Sequence, residues 1–314
     1  RPVEVEGARY ENFPAYISPS PYGAHSWHSM SYNPQTGLAY FPAIHYATTF
    51  SDEGLDLETF QLKPFDGGLG VTPLPADPPR DHPASLIAWD PVRQEAAWQI
   101  PQATGPNGGT LTTAGNLVFQ GRADGHFTAY DAATGEQLWD HDLGLGIPAA
   151  PITYELDGRQ YVSILVGWGG GVAGLGALFS HEQYSPSTLG WEYGKHMRRL
   201  VTFSLDGNAD MPPLPPPYFP QPLEAAEFEL DDELAEQGAQ AFGDCLACHG
   251  ADAIASGMAP DLRASPVVLD TNAFKAVVRD GAWVSRGMPA HPQLSDADLV
   301  ALQHYIRQRA RESL

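Results

Sequence analysis

Short hydrophobic runs that alternate with turn-forming residues fill the first two thirds of the chain. Residues 116–131 (NLVFQGRADGHFTAYD) and 158–171 (GRQYVSILVGWGGG) are two examples, with β-branched and aromatic residues standing between Gly, Asn and Asp. Such runs, bounded by turn residues, are typical of β-strands. The pattern predicts a mainly β domain over residues 1–210.

A pattern of Ala, Asp and Trp occurs twice in this region with the same internal spacing, 41 residues apart. A period near forty with a tight turn and a terminal tryptophan is typical of a β-propeller blade. The aspartate is expected to form the turn, and the indole to pack between adjacent blades. Residues 33–41 (NPQTGLAYF) are interpreted as a third, degraded copy. The two clear copies are Ala88, Asp90 and Trp98, and Ala129, Asp131 and Trp139.

A proline-rich stretch, MPPLPPPYFPQP at residues 211–222, ends the β pattern. Proline has a fixed φ and no amide donor, so the stretch can form neither a helix nor a central strand. It predicts a stiff polyproline linker over residues 211–223. The linker would join the β domain to a second domain at residues 224–314.

Helical spacing of apolar residues begins after the linker. Capping residues precede each periodic segment, and Ser295 with Asp298 three positions on is a capping box. The pattern predicts a small all-α domain with three main helices over residues 224–314. Their expected caps are Asp231 or Asp232, Thr271, and Ser295.

Composition limits the possible partners. The 314 residues carry a formal net charge of −21, which disfavours binding to nucleic acid or to anionic lipid. The 32 glycines and 29 prolines suit many short strands joined by turns. The sequence contains no run of about twenty apolar residues, and residues 1–10 contain no apolar signal core. We expect a soluble chain without a membrane span, whose export signal is not part of this sequence.

The only two cysteines lie in GDCLACHG, residues 243–250. In a CxxCH motif the thiols of Cys245 and Cys248 can add to the vinyl groups of a haem, and His249 can bind the iron. Zinc would require further clustered ligands, and a thioredoxin-like site would require a βαβ context. Covalent haem c is therefore predicted, with a structural disulfide as the alternative.

A six-coordinate haem needs a second axial ligand, and three residues after the motif are candidates. Met258 follows His249 too closely for the chain to reach the opposite face of the ring, and His291 is the third candidate. Met288, in a Gly-Met-Pro turn between two predicted helices, is the predicted ligand, and simple packing is its alternative role. The carbonyl of Pro260 could accept the Nδ1 proton of His249, although an ordinary loop proline would look the same.

The ordered series of motifs resembles the quinoprotein dehydrogenases that use pyrroloquinoline quinone (PQQ), and specifically the type II quinohaemoprotein alcohol dehydrogenases. The resemblance rests on residues 21–43 (PYGAHSWHSMSYNPQTGLAYFPA), 113–139 and 166–171 (VGWGGG), together with the proline-rich hinge and the haem motif. It implies part of an eight-bladed propeller, with about half its blades, joined to a class I cytochrome c domain. It also implies oxidation of an alcohol at PQQ and single-electron transfer to the haem.

The resemblance implies that most of the quinone site lies in an N-terminal propeller half outside this chain. That half would supply the catalytic base, the calcium ion and a vicinal disulfide. Here Trp168 and Ser26 match quinone-contacting positions, and Trp27 is a further candidate. Ser26 replaces a common asparagine, which places its own contact with the quinone in question, because a hydroxyl reaches less far and has one donor instead of two. His25 and His28 are interpreted as packing residues on opposite sides of a strand.

The acidic, glycine- and proline-containing stretch at residues 47–83 is expected to be a long functional loop that walls the substrate funnel or docks the cytochrome. The resemblance further implies a periplasmic location, a primary alcohol as substrate, and an external acceptor such as a soluble cytochrome or a cupredoxin. Two functions are considered. The chain is either the C-terminal half of an alcohol dehydrogenase, which needs its N-terminal half from the same precursor or from another chain, or a stand-alone electron carrier. In the second case the partial propeller would be a binding module.

Overall fold

The computed structural model describes residues 14–52, 56, 58–60, 70–75, 82–105, 107–169, 188–255, 257 and 259–314. Fourteen strands fall in this part of the chain, all of them before the linker. The strands are β1 Ala15–Ile17, β2 Ser31–Asn33, β3 Leu38–Ile44, β4 Tyr46–Ser51, β5 Gly70–Pro75, β6 Ala84–Asp90, β7 Glu95–Gln102, β8 Thr110–Thr112, β9 Leu117–Gly121, β10 His126–Asp131, β11 Gln137–Asp142, β12 Ile152–Leu156, β13 Arg159–Val166 and β14 Arg199–Phe203.

The strands form four antiparallel sheets. Sheet 1 has the order β2-β3-β6-β7, sheet 2 the order β8-β9-β10-β11, and sheet 3 the order β12-β13-β14. A three-stranded side sheet, β1-β4-β5, is built from the chain between β3 and β6 together with β1. Residues 47–83 are therefore not one open loop, because β4 and β5 pair as an antiparallel hairpin. Tyr46 lies opposite Pro75 at one end of the pairing, and Ser51 lies opposite Gly70 at the other.

The two repeat copies form the same turn in successive sheets. The carboxylates of Asp90 and Asp131 each accept hydrogen bonds from the amides two and three positions on. Asn33 caps the β2–β3 turn in a similar way, with its side chain accepting from the amide of Gln35. That turn belongs to sheet 1, as does the Asp90 turn, so residues 33–41, interpreted as a third, degraded copy, lie in the same sheet as the first copy.

The indoles of the repeat pack between neighbouring sheets, but to different depths. Trp98 of sheet 1 donates from Nε1 to the carbonyl of Ala132, 3.2 Å away in the β10–β11 turn of sheet 2. Trp139 of sheet 2 lies edge-on to Phe203 of sheet 3, with ring centroids 5.3 Å apart. Trp139 nevertheless keeps 37% of its surface exposed, so it is more exposed than the partly buried Trp98.

Sheet 3 has two apolar faces. Val162, Ile164 and Val201 point into the core beneath sheets 2 and 3. On the other face, Leu165 and Leu200 stand directly opposite each other in the β13–β14 register and are 60% and 68% exposed. Ile152, Tyr154 and Leu156 of β12 are also exposed. A sheet that is apolar on both faces is suited to packing against other elements on both sides.

The proline-rich segment contains no helix or strand and lies along the β body. The guanidinium of Arg199 donates to the carbonyls of Pro212 and Pro213, at 2.7 and 2.9 Å. The amide of Tyr218 donates to Gly190, and the ammonium of Lys195 lies 3.5 Å from the centre of the Tyr218 ring. The segment is thus extended, as expected, but it is bound to the β body along its length.

Residues after the linker are helical. The helices are α1 Asp232–Ala241, α2 Gly243–His249, α3 Thr271–Val278 and α4 Asp296–Glu312, with short 3-10 turns at Ala251–Ala253, Leu262–Ala264, Pro266–Leu269 and Val284–Arg286.

The caps of the helices follow the sequence with one correction. Asp231 caps α1, and Ser295 and Asp298 form the capping box of α4. The cap of α3 is Asp270 rather than Thr271, because the Asp270 carboxylate accepts hydrogen bonds from the amides of Asn272 and Ala273. Phe242, Phe274, Leu299 and Ile306 form the centre of the helical core.

Candidate redox site

The two cysteines lie on the short helix α2, three residues apart and therefore on neighbouring positions of its surface. Phe242, which precedes α2, is buried in the helical core, and Cys245 packs against the same core. Burial raises the pKa of the Cys245 thiol to about 12, and Asp244 and Cys248 add to this effect. Thiol-exchange sites need a lowered cysteine pKa, so the environment of Cys245 disfavours a thioredoxin-like role.

His249 ends α2 and is buried, with 8% of its surface exposed. Its Nδ1 lies 2.9 Å from the carbonyl oxygen of Pro260. A carbonyl oxygen only accepts, so Nδ1 carries the proton and Nε2 keeps a lone pair for a metal. Burial lowers the pKa of His249, against smaller opposing effects of Pro260 and Asp261, which keeps the imidazole neutral at pH 7.

The chain between His249 and Pro260 is a tightly curved loop. Gly250, Asp252, Ala253 and Gly257 all have positive φ angles, and this turns the chain back so that Pro260 faces His249. Met258 lies in this loop but outside the described residues.

The other candidate ligands lie between α3 and α4. Gly287 has a φ of 95° and ends the 3-10 turn before Met288. Met288 is half-buried and packs against the same core cluster as Cys245. The amide of His291 donates to Val278, and its Nδ1 is 3.4 Å from Nε2 of Gln293. The helical core therefore brings Cys245 and Met288 to one cluster, whereas His291 has polar neighbours.

Trp168 follows β13 and is almost fully buried, with 1% exposed. Gly146 lies against its indole, and a Cβ on Gly146 would come within 2.3 Å of the ring. Its Nε1 is buried and has no hydrogen-bond partner in the described part of the chain. The indole is thus held rigidly, with one polar atom left for a further ligand.

Ser26 and Trp27 precede β2 of sheet 1, whereas Trp168 follows β13 of sheet 3. Trp27 is exposed and stacks on His28, with ring centroids 4.7 Å apart. The interpretation of His25 and His28 as residues on opposite sides of a strand is wrong, because residues 25–28 form bends and the two rings lie 6.4 Å apart. Burial lowers the pKa of His28 to about 4, so this imidazole is neutral.

Metal ligands do not cluster further in the described residues, where no group of three or more His, Cys, Asp or Glu side chains is arranged to hold an ion. The described helices also include none that is long and apolar enough to cross a membrane.

Two residues that the sequence analysis did not single out lie between the β body and the helical region. Arg198 donates from Nε to the carbonyl of Trp168 and from a terminal nitrogen to the carbonyl of Gly257. Glu192 is buried, and desolvation together with Asp261 raises its pKa to about 7, against a smaller opposing effect of Lys195. In the sequence, the glycines on both sides of Trp168 were the available signal for the Arg198 contact, because glycine often marks a position where another group approaches the backbone closely.

Comparison with known proteins identifies both regions. Residues 86–162 match the family model "Glucose/ethanol/alcohol dehydrogenase, beta-propeller domain", and residues 233–306 match "Cytochrome C oxidase, cbb3-type, subunit III". The chain is 41% identical over 319 residues to quinohemoprotein alcohol dehydrogenase ADH IIB of Pseudomonas putida. The alignment covers 99% of this chain and 44% of that protein. The quinohemoprotein alcohol dehydrogenase of Comamonas testosteroni is 40% identical over 98% of the chain and 42% of its own length.

The solved structure of the Comamonas testosteroni enzyme superposes with a TM-score of 0.74, at 35% identity, covering 99% of this chain and 45% of that one. Over nearly its whole length the chain is similar to quinohaemoprotein alcohol dehydrogenases. Sheets 1 to 3 contain the residues that match the β-propeller model, and the helical region contains those that match the cytochrome model. The chain spans about 44% of the length of the curated relatives that it matches.

The arrangement around α2 fits a covalently bound haem. The cysteine pair, the neutral His249 with its lone pair on Nε2, and the core-facing Met288 supply the donor types that such a haem needs. The buried indole of Trp168 follows strand β13.

Proposed function

We propose that this chain is the electron-exit part of an alcohol dehydrogenase that oxidises alcohols at PQQ and passes electrons one at a time through a covalent haem c to an external acceptor. When bound, PQQ takes up the two electrons of the alcohol, and haem c carries single electrons. The observation that carries the proposal is the hydrogen bond from His249 Nδ1 to Pro260, beside the cysteine pair and in one chain with propeller sheets.

On the haem side, Cys245 and Cys248 would form the thioether bonds, and His249 and Met288 would be the axial ligands. Pro260 fixes the orientation and tautomer of the His249 ring and makes Nε2 a better donor. Met288 is partly buried against the helical core, and a thioether ligand raises the reduction potential.

On the quinone side, we propose that Trp168, Ser26 and Trp27 contribute to the PQQ pocket. The rigid indole of Trp168, with its unsatisfied Nε1, is the best supported of the three. The catalytic base and the calcium ligands are assigned to the rest of the propeller. A base is needed to take the hydroxyl proton, and a cation to polarise the quinone carbonyl.

The outer face of sheet 3 supports a partner that completes the propeller. Leu165 and Leu200 form an exposed cross-strand pair, and β12 adds three further apolar side chains to the same face. Sheets in a propeller pack face to face through such residues. We propose that the N-terminal propeller half, from the same precursor or a separate chain, covers this face.

The remaining assignments follow from the family and the charge. We propose a periplasmic protein that acts on a primary alcohol and donates electrons to a soluble cytochrome or a cupredoxin. The net charge of −21 favours a cationic or neutral acceptor, because charge complementarity speeds protein encounter.

The decisive experiment compares the haem-loaded chain alone with the chain plus the N-terminal half. Calcium, PQQ, a primary alcohol and an artificial acceptor dye are added to both, and haem reduction and dye turnover are followed by absorbance. We expect turnover only with both halves. Turnover by the lone chain would contradict the half-enzyme proposal. A pair that binds haem but never oxidises alcohol would favour the stand-alone electron carrier.

A further inference from the structure

We infer that Arg198 is a positioning residue that holds the haem-binding loop of the cytochrome domain against the segment that follows strand β13. One guanidinium donates to two backbone carbonyls from the two regions. Its Nε lies 2.6 Å from the oxygen of Trp168, and a terminal nitrogen lies 3.2 Å from the oxygen of Gly257.

The propeller side of this contact is built around the arginine side chain. Gly167 has a φ of 119°, and a Cβ there would come within 2.9 Å of Cγ of Arg198. A Cβ on Gly169 would lie 3.0 Å from its Nε. The two glycines around Trp168 therefore make room for Arg198, which explains the Gly-Trp-Gly part of the VGWGGG motif.

The cytochrome side of the contact leads to the haem ligand. Gly257 is buried in the loop that begins at Gly250, directly after His249, and ends at Pro260, whose carbonyl holds the His249 ring. Gly257 and Pro260 are three positions apart along the chain. Arg198 thus fixes the loop near the point where the loop fixes the histidine.

Arginine is the side chain suited to this task. Its planar fork can reach two carbonyls at once, whereas the single ammonium of lysine is a point donor on a flexible stem. Arg198 as a residue remains exposed, so the bridge is held by its two hydrogen bonds and by contact with the glycines, with the Trp191 ring 5.8 Å from the guanidinium carbon.

The neighbouring arginine is a matched control. Arg199 also binds two backbone carbonyls through its guanidinium, but both belong to the linker, at Pro212 and Pro213. Arg199→Met therefore removes the same kind of contact from the adjacent position without touching Trp168 or the haem loop.

The first measurement uses hydrogen–deuterium exchange on the haem-loaded chain, without quinone. We expect Arg198→Met to increase amide exchange in residues 250–260 and Arg199→Met to leave that segment unchanged. Arg198→Lys should give an intermediate increase. Unchanged amide exchange in both Arg198 variants would overturn the inference. If Arg198→Met does not fold, Arg198→Lys alone provides the test.

The second measurement rests on the proposed function and uses the holoenzyme with both halves and PQQ. After rapid mixing with alcohol, we expect haem reduction to slow by about tenfold or more in Arg198→Met, since small misplacements of reacting groups are costly. The haem spectrum of Arg198→Met should be unchanged. The Arg199→Met variant should reduce its haem at the wild-type rate. If wild-type haem is not reduced by alcohol, the proposed function fails, and the exchange result still decides the role of Arg198. Wild-type rates in Arg198→Met would refute the positioning role.

Discussion

Single residues around α2 determine what the redox site can do. Sequence spacing was enough to select Cys245, Cys248 and His249, because the motif is local and its chemistry follows from residue type. The contact of His249 with Pro260 was open from the sequence, and the structure supplies it at 2.9 Å. Arg198 could not be found in the same way, since its partners lie 30 and 59 residues away along the chain.

Met288→Ala tests the second axial ligand. The haem should stay attached, because the thioethers depend only on Cys245 and Cys248, and the reduction potential should fall when the thioether is lost. Absorption spectroscopy and a redox titration measure both effects. Met258→Ala is the matched control, and a change there with no change in Met288→Ala would reassign the ligand.

Glu192 should make stability depend on pH. Its pKa is raised to about 7, mainly by desolvation, from an ordinary value of 4.5, so the folded chain binds more protons than the unfolded chain between these two values. Stability must therefore decrease as pH rises from about 4.5 to about 7, and then level off. Glu192→Gln should remove this decrease. Thermal melts of both proteins at pH 5 and pH 8 measure it, and equal pH profiles would contradict the raised pKa.

Elements were predicted well where the signal is periodic or local. The capping box of α4 and the Asp90 and Asp131 turns occur as expected, because each depends on neighbouring residues. The β4–β5 hairpin within residues 47–83 was missed, since its glycines, prolines and acidic residues hide a strand pairing that tertiary contacts with β1 support. The cap of α3 was wrong by one residue because Asp270 and Thr271 are both good capping residues.

The two repeat tryptophans should differ in their contribution to stability. Trp98 is partly buried and bonded to the next sheet, so Trp98→Ala should lower the free energy of unfolding by about 3 kcal/mol. Trp139 is more exposed, and Trp139→Ala should cost only about 1–2 kcal/mol. Urea unfolding followed by circular dichroism gives both values. Neither variant should shift the haem absorption bands, and a shift without loss of stability would argue against a purely structural role.

At the scale of the whole molecule, the β sheets and the helical region were separable from sequence because their periodicities differ and a proline-rich segment divides them. The way the regions meet was not predictable. The linker was expected to be a stiff spacer, yet Arg199, Lys195 and Gly190 bind it to the β body. Such contacts depend on surfaces that exist only after the sheets have formed.

The exposed face of sheet 3 should control self-association of the chain when it is studied alone. Leu165 and Leu200 form an apolar cross-strand pair on a face that also carries Ile152, Tyr154 and Leu156. We expect the wild-type chain to form oligomers, and Leu165→Lys/Leu200→Lys to shift it toward the monomer with little change in melting temperature. Light scattering after size-exclusion chromatography measures the mass. A monomeric wild type would show that this face does not drive association.

The attachment of the linker to the β body has a consequence for kinetics. A cytochrome on a loose tether would have to diffuse to its electron donor before every transfer, and its turnover would slow in glycerol as the solvent became more viscous. A cytochrome whose linker is held at Tyr218 by Lys195 and Gly190, contacts that remain in Arg199→Met, performs no such search. Haem reduction inside this protein should therefore be insensitive to solvent viscosity, whereas the later encounter with an external acceptor should slow in proportion to it.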